Sequence, residues 1–279
     1  MFACPIRVAP ANIALLLCCL FGEFAQADEA VAVHPFLTDK FNIQLGIYSP
    51  QKDIFVRVDG SLGGENIGID FDESLGVGKS DEIFAAEFVW RFGEKWSLRS
   101  QYFDAAEQKS AVLTEDIEWG DIVIQEGSSV TAGTNLTLSR LFFGRSLDSS
   151  PKYDYGLGLG IHWLDTGAFV KLDSIISFGE TSAVSASGPL PNIGTWFYYS
   201  PSAKWFLGGR LDWFKASVGD YAGSIMNIAL GVNYQFMEHL GAGVNYQEFE
   251  LNADIDSDSW RGRLNTDFAG LFFYLSGNW

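Results

Sequence analysis

The sequence predicts an all-β protein: a transmembrane, up-and-down antiparallel β-barrel of about ten strands, within a range of roughly 8–12. Three observations predict it. Apolar and polar residues alternate along many segments, as in a strand with one apolar face. After the N-terminal region no apolar run approaches the roughly 18 residues of a membrane-spanning helix. Short turns also alternate with longer connections along the chain.

The N-terminus is predicted to be a secretory signal peptide. Arg7 supplies a basic start, residues 13–21 are apolar, and Ala25-Gln26-Ala27 offers a cleavage site. The predicted division of the chain is therefore a signal peptide (1–27), a periplasmic N-terminal segment (28–40) and the barrel (41–279).

All three cysteines, Cys4, Cys18 and Cys19, lie in the signal segment. The exported chain would therefore have no disulfide, no thiolate nucleophile and no cysteine metal ligand. A lipid anchor on Cys18 or Cys19 is the alternative, although the residues before them are not the small ones that such an anchor requires.

The composition suits strands that are apolar on one side only. The chain is 47% hydrophobic and 15% aromatic, yet 19% of its residues are charged. Its aromatic residues are spread along the whole length, as two interfacial girdles would require. The net charge of −17 excludes nucleic acid as a partner, because binding phosphates needs a basic surface.

Residues 226–236 show the clearest alternation. Apolar residues occupy every second position there, whereas a helical period would scatter them around the circumference. These positions are Met226, Ile228, Leu230, Val232, Tyr234 and Phe236. Residues 84–92, 96–102, 153–163 and 205–213 follow the same pattern.

The alternation defines ten predicted strands. Their approximate ranges are 41–60 with a break near Ser49-Pro50, 82–92, 95–108, 130–147, 153–170, 190–200, 204–217, 222–236, 239–253 and 260–279. Residues 136–146 and 190–200 alternate poorly, which indicates bulges.

The connections divide into two kinds. Short turns are predicted at 93–95, 148–152, 200–204 and 237–239. The connections between them are 61–81, 109–129, 171–189 and two shorter ones near 218–221 and 254–259. This asymmetry predicts short periplasmic turns on one side of the barrel and longer outer loops on the other.

The last strand carries a candidate assembly signal. Leu271, Phe273, Leu275 and the terminal Trp279 lie on one face of this strand. Here the chain resembles bacterial outer-membrane β-barrels, whose last strand ends in an aromatic residue, although Gly277 departs from the usual pattern. The resemblance implies export to the outer membrane, recognition by the barrel-assembly machinery, and contact with outer-membrane lipid and lipopolysaccharide.

A second resemblance lies in the predicted first outer loop. Residues 67–77 contain an acidic D-F-x-E-x-L-G stretch from Asp70 to Gly76. The stretch is similar to that of a proteobacterial group of barrels with no settled activity. The resemblance implies fold and location, and it adds little about chemistry.

Seven polar residues are candidates for lining the lumen, because they lie on the inward faces of predicted strands. They are Glu87, Arg91, Arg99, Gln101, His162, Arg210 and Asp212. These side chains either line a pore and set its selectivity, or pair with one another and close the lumen. A barrel of about ten strands has little space inside, so the sequence favours a filled or very narrow interior.

No catalytic residue, cofactor site or metal site is predicted. His162 and Asp165 are three residues apart and therefore lie on opposite faces of a strand. Residues 254–258 begin like a calcium loop, but Ser259 replaces the required glycine. The acidic residues of the outer loops are explained by solvation, with loose bridging of divalent ions to lipopolysaccharide as the alternative.

The sequence favours a structural or passive-permeation (porin-like) role in the outer membrane, without catalysis. Two other functions stay open: an outer-membrane enzyme acting on lipid or peptide, and a surface-binding or adhesion barrel that uses its acidic outer loops. A soluble β-sandwich is the structural alternative, and the oligomeric state is left open.

Overall fold

A computed structural model describes one short helix and thirteen strands. The described residues are 33–58, 69–70, 83–112, 116–119, 122–172, 181–218, 221–256 and 261–279. The predicted signal peptide lies outside them, as does the acidic stretch beyond Asp70.

Helix α1 spans Pro35–Thr38 and precedes the first strand. The strands are β1 (Phe41–Val58), β2 (Ile69–Asp70), β3 (Ile83–Phe92), β4 (Trp96–Val112), β5 (Ile117–Trp119), β6 (Ile122–Ile124), β7 (Ser129–Ser149), β8 (Tyr153–Leu172), β9 (Thr181–Ser202), β10 (Trp205–Val218), β11 (Tyr221–Gln235), β12 (Leu240–Asp256) and β13 (Arg261–Asn278).

Ten of these strands close into an antiparallel barrel. Each barrel strand pairs with its neighbour in the chain, in the order β1-β3-β4-β7-β8-β9-β10-β11-β12-β13, and β13 pairs with β1. The short β2 adds to the outer end of β1, and β5 and β6 form a separate hairpin. The structure confirms the predicted all-β, up-and-down barrel with about ten strands.

The register fixes the stagger of the barrel. Following paired residues once around the ring leads from Phe41 on β1 to Asp53 on the same strand, so the shear is twelve residues. Closure with such a stagger corresponds to strands tilted by about 40° from the barrel axis. The interior of a barrel of this size is narrow enough for side chains to fill.

The outer face is apolar because every second residue points outward. On β8 the outward residues from Tyr155 to Trp163 are all apolar and exposed, and the exposed Asp165 follows them. We call this zone the apolar band. Aromatic residues gather at its lower end, where Phe41 lies beside Trp279 and Trp205 beside Tyr234. Such an aromatic border is typical of a membrane interface.

The two ends of the barrel differ as the sequence predicts. Short turns at 93–95, 150–152, 203–204 and 236–239 lie at the same end as α1 and Trp279. The longer connections lie at the other end, which is the outer end of this class of barrel. No described helix has the length and apolarity needed to cross a membrane.

The predicted break of β1 near Ser49-Pro50 is wrong. Strand β1 continues through both residues, and Pro50 pairs with Gly270 of β13. Phe41 exchanges both backbone hydrogen bonds with Trp279, so odd-numbered residues of β1 face β13 and Pro50 faces β3. Among the described residues, β3 begins at Ile83, opposite Tyr48, so no described ladder bond needs the missing N–H of Pro50.

The predicted start of β9 near residue 190 is also wrong. The strand begins at Thr181 and pairs with β8 from there onward. Residues 181–189 are small, polar or proline, a composition that resembles a loop. The outer connection predicted at 171–189 therefore shortens to residues 173–180.

Leu159 offers a test of the lipid-facing surface, because it lies in the apolar band of β8 with 64% of its surface exposed. Leu159→Arg is expected to lower the free energy of unfolding in vesicles by about 2–4 kcal/mol, since the charge would face hydrocarbon. Gln108→Arg, on the exposed outer part of β4, is the matched control and should change little. Urea unfolding followed by tryptophan fluorescence measures both, and equal effects would contradict a lipid-facing band.

Candidate functional site

The lumen is the candidate functional site, and its side chains form three layers. A polar and charged layer lies at mid-height, an aromatic layer lies below it toward the short turns, and an apolar layer lies above it. All seven sequence-predicted lumen residues are on the inward face of their strands, with side chains that are buried or half-buried.

A buried ion pair lies at the centre of the middle layer. Arg140 Nη2 of β7 donates to Asp212 Oδ1 of β10 at 2.7 Å, and neither side chain is accessible to solvent. Gly194 makes room for this carboxylate, because a Cβ at that position would lie 2.1 Å from Asp212 Oδ1. The sequence predicted Asp212 as a lumen residue but not its partner Arg140.

One ion-pair contact and a chain of hydrogen bonds continue from Asp212 across the lumen. Arg210 Nε lies 3.7 Å from Asp212 Oδ2, and Arg210 Nη2 donates to Gln101 Oε1 at 2.9 Å. Gln101 Nε2 donates to Gln247 Oε1 at 3.0 Å, and Gln247 Nε2 donates to Glu87 Oε1 at 2.9 Å. Three predicted residues, Arg210, Gln101 and Glu87, are thus brought together by Gln247, which the sequence did not single out.

Arg99 lies apart from this chain and is held by aromatic rings. Its guanidinium lies 4.0 Å from the ring centre of Trp196 and 4.9 Å from that of Tyr198. It also donates to the Tyr198 hydroxyl and to Ser97 Oγ. Cation–π contacts of this kind are strongest when water is excluded, as it is here.

His162 is held between two amides. Its Nδ1 lies 3.1 Å from Asn192 Oδ1, and its Nε2 lies 3.3 Å from Asn227 Nδ2. An amide oxygen on one side and an amide nitrogen on the other suit a neutral ring that donates from Nδ1 and accepts at Nε2. Both ring nitrogens are therefore engaged in structural hydrogen bonds.

The N-terminal segment enters the lower end of the lumen and completes the aromatic layer. Phe36 of α1 packs 4.1 Å from Phe206 between ring centres, and the guanidinium of Arg91 lies 5.8 Å from the Phe36 ring. Arg91 Nη1 also donates to the carbonyl of Asp39 at 3.3 Å. We call residues 33–40 the plug.

His34 fixes the start of the plug. Its Nδ1 accepts the backbone N–H of Phe36 at 3.1 Å. Burial lowers the pKa of His34 to about 4, so the ring is neutral at pH 7 and able to accept this bond. No role for His34 is predicted from the sequence, because nothing local shows that residues 33–40 fold back into the lumen.

The layer above the ion pair is apolar, which is unusual for the interior of this class of barrel. Its inward side chains come from several strands and have almost no accessible surface. They include Phe103, Leu138, Leu164, Ile225, Phe249, Leu251 and Phe268. The upper lumen is therefore filled by a small hydrophobic core.

The residues around Arg140 show why the sequence missed it. Leu138 and Phe142, two positions before and after Arg140, face inward and are fully buried, while Leu141 and Phe143 face lipid. Apolar residues on both faces hide the alternation there. The poor alternation of residues 136–146 predicts a bulge in this strand. The register shift of β7 lies closer to the short turn, between Ser146 and Asp148.

A cavity borders both the middle layer and the aromatic layer. It has a volume of about 40 Å³ and lies beside Glu87 and Arg210, which is room for a few water molecules. Within the described part of the chain, no group of three or more His, Cys, Asp or Glu side chains could hold a metal ion.

Comparisons with known proteins define the class. No protein-family model matches the chain, and no curated protein is similar to it in sequence. The outer membrane protease OmpT of Escherichia coli is similar in structure, with a TM-score of 0.54 and 11% identity over 91% of this chain and 100% of OmpT.

Two other solved structures align less well. The translocator domain of the autotransporter NalP from Neisseria meningitidis has a TM-score of 0.41 and 10% identity over 94% of this chain and 95% of that domain. The attachment invasion locus protein Ail of Yersinia pestis has a TM-score of 0.32 and 11% identity over 84% of this chain and 97% of Ail.

The chain therefore has the fold of a bacterial outer-membrane β-barrel. At 11% identity the likeness to OmpT establishes the fold and leaves the role to be argued from the lumen.

The Arg140–Asp212 pair yields a stability prediction. Asp212→Asn is expected to lower the free energy of unfolding by about 3–5 kcal/mol, because it leaves the Arg140 charge buried without its partner. The double variant Arg140→Met, Asp212→Leu removes both charges and should recover most of the loss. Urea unfolding in vesicles measures all three proteins, and an Asp212→Asn variant as stable as the wild type would contradict the buried pair.

Proposed function

We propose that the protein is an integral barrel of the bacterial outer membrane with a structural, non-catalytic role, and that its lumen is closed to passive permeation. The competing form of this hypothesis is a porin-like lumen that conducts. The proposed partners of the folded protein are lipopolysaccharide and outer-membrane lipid. During biogenesis the proposed partner is the barrel-assembly machinery.

The closure of the lumen at mid-height carries the proposal. Arg140 and Asp212 have no accessible surface, and the chain from Arg210 to Glu87 crosses the lumen beside them. The apolar layer above and the plug below add two further barriers. Ions passing through would have to cross hydrocarbon side chains and break a desolvated ion pair, and both steps are costly.

The outer surface supports the location. Exposed apolar side chains cover the strands, and the candidate assembly residues Leu271, Phe273, Leu275 and Trp279 are all exposed on the outward face. Because these four side chains are exposed, another protein can recognise the last strand from outside the barrel. The side chains of Arg91, Arg99, Arg140 and Arg210, with those of Glu87, Asp154 and Asp212, instead point into the lumen, as expected when hydrocarbon surrounds the barrel.

The engagement of His162 supports a role without catalysis. Both of its ring nitrogens are bound by amides, and the side chains it contacts offer no nucleophile. OmpT is a protease by name, so an outer-membrane enzyme is the alternative from another class. Surface binding through the acidic outer loops is a third possibility and depends on residues outside the described part of the chain.

Planar-bilayer recording tests the closed lumen. The folded wild-type protein is expected to insert without discrete conductance steps. A variant that opens all three layers, Phe36→Ala, Phe103→Ala, Arg140→Ala, Arg210→Ala, Phe268→Ala, removes side chains from the plug, the middle layer and the apolar layer. It should conduct and thereby show that insertion is detected. Discrete steps from the wild type would contradict the closed lumen and favour a porin-like role.

A further inference from the structure

The arginine at position 145 faces outward in the apolar band, close to the short-turn end of the barrel. Arg145 of β7 is exposed, and so are the apolar residues Phe143 and Leu147 on either side of it. It pairs with Leu157 of β8, the next outward residue above Tyr155. Arg145 therefore lies just inside the lower edge of the band, where a charge is costly in hydrocarbon unless it has a partner.

Trp96 positions the Arg145 side chain. The two residues pair across β4 and β7, and the guanidinium carbon of Arg145 lies 5.4 Å from the centre of the Trp96 ring. Trp96 in turn stacks on Phe143, with 4.9 Å between ring centres. The cation–π contact holds the arginine stem against an apolar surface, and it leaves the guanidinium N–H groups to donate to another molecule.

The described part of the protein supplies no counter-ion for Arg145. Neither Arg145 nor Lys95, the exposed residue before Trp96, lies within ion-pair distance of a described carboxylate. On the flanking strands β4 and β8 the outward acidic residues are Asp104 and Asp165, toward the outer end of the band. The charge of Arg145 is therefore left for a group outside the chain.

Two acidic residues lie nearer, at the level of the short turns. Glu94 and Asp148 are both exposed. Asp148 accepts the Tyr153 hydroxyl at 3.0 Å and the Ser149 N–H at 2.9 Å. Because both carboxylates lie below the band, where water screens them, neither neutralises the guanidinium at its own depth.

A second short turn offers an internal comparison. There the exposed Lys204 precedes Trp205, which pairs with Tyr234. The lysine and the interfacial tryptophan are the same as in the turn before β4, but a phenol takes the place of Arg145. The second cation distinguishes the β4–β7 site from this turn.

The depth and the charge of the pair fit a lipid phosphate. Lys95 lies in the turn, at headgroup level, and Arg145 lies one step higher, with a stem long enough to extend its guanidinium back to that level. A guanidinium donates two parallel N–H groups to phosphate oxygens. Two cations favour a lipid of net negative charge over a zwitterionic lipid, whose ammonium group they repel.

We propose that Arg145 and Lys95 bind the phosphate of an anionic phospholipid in the periplasmic leaflet of the outer membrane. Its acyl chains extend upward over Phe143 and Leu141, which are exposed on the same face of β7. The inference rests on the proposed outer-membrane location, and it assigns one lipid a fixed site at the short-turn end.

Native mass spectrometry of the full barrel in mild detergent tests the site, with phosphatidylglycerol as the probe. The wild type is expected to retain one phosphatidylglycerol. Arg145→Leu places an apolar side chain in the apolar band, so the barrel should fold as before, but retention should fall about fivefold. Lys204→Gln is the matched control, because it removes an exposed lysine beside an interfacial tryptophan, and it should leave retention unchanged.

Two further variants separate charge from geometry. Arg145→Lys keeps the charge but loses the planar pair of donors, so its retention should lie between those of the wild type and Arg145→Leu. Lys95→Gln removes the cation at headgroup level and should also lower retention about fivefold.

Three results would overturn the inference: no phosphatidylglycerol on the wild type, equal retention by Arg145→Leu and the wild type, or equal retention of phosphatidylethanolamine in place of phosphatidylglycerol. These outcomes are distinct from a failure of the proposed location. A barrel that inserts into vesicles but retains no phosphatidylglycerol overturns the lipid site alone, whereas an exported chain that is soluble without detergent overturns the location.

Discussion

The pairing of β1 with β13 is the contact on which the rest of the structure depends. It joins the two ends of the sheet from Asn42 opposite Asn278 to Val58 opposite Gly262. In hydrocarbon no water is present to satisfy an open strand edge, so a spanning sheet must close on itself. Closure then forces every second side chain into a narrow lumen. The described pairing of β9 with β10 ends at Ile193 and Trp213, near the outer edge of the apolar band, where water becomes available.

The narrow lumen decides what the inward side chains do. Among the described side chains, four arginines (Arg91, Arg99, Arg140 and Arg210) enter the interior of an acidic chain, and they are held in three ways. Arg140 and Arg210 pair with carboxylates, Arg99 lies against aromatic rings, and Arg91 holds the plug. Side chains that cross the lumen and bond to opposite walls connect strands that the sheet itself does not join. The same contacts that connect these strands also fill the lumen, which is why we propose a structural role for this interior.

Alternation alone was enough to predict the barrel, its strand number and the inward faces, because lipid on one side imposes a period of two. The prediction failed where a second constraint acted. Leu138 and Phe142 point inward to fill the lumen, which hid the alternation around Arg140 and so its inward position, although the strand itself was predicted at 130–147. Residues 181–189 pair with β8 through their backbone despite a composition that resembles a loop. The contacts of Gln247 and the return of Phe36 into the lumen join residues far apart in sequence, so only the three-dimensional structure reveals them.

Closure of the ring can be measured with one engineered disulfide, since the chain after residue 19 has no cysteine. Gln44 and Ser276 are paired on β1 and β13 and both are buried on the inward face. The double variant Gln44→Cys, Ser276→Cys is expected to form an intramolecular disulfide without added catalyst, as peptide mapping under non-reducing conditions would show. Ser97→Cys, Ser276→Cys places the thiols three strands apart and should stay reduced. Failure of the first pair to join in the folded, membrane-inserted protein would contradict a closed barrel.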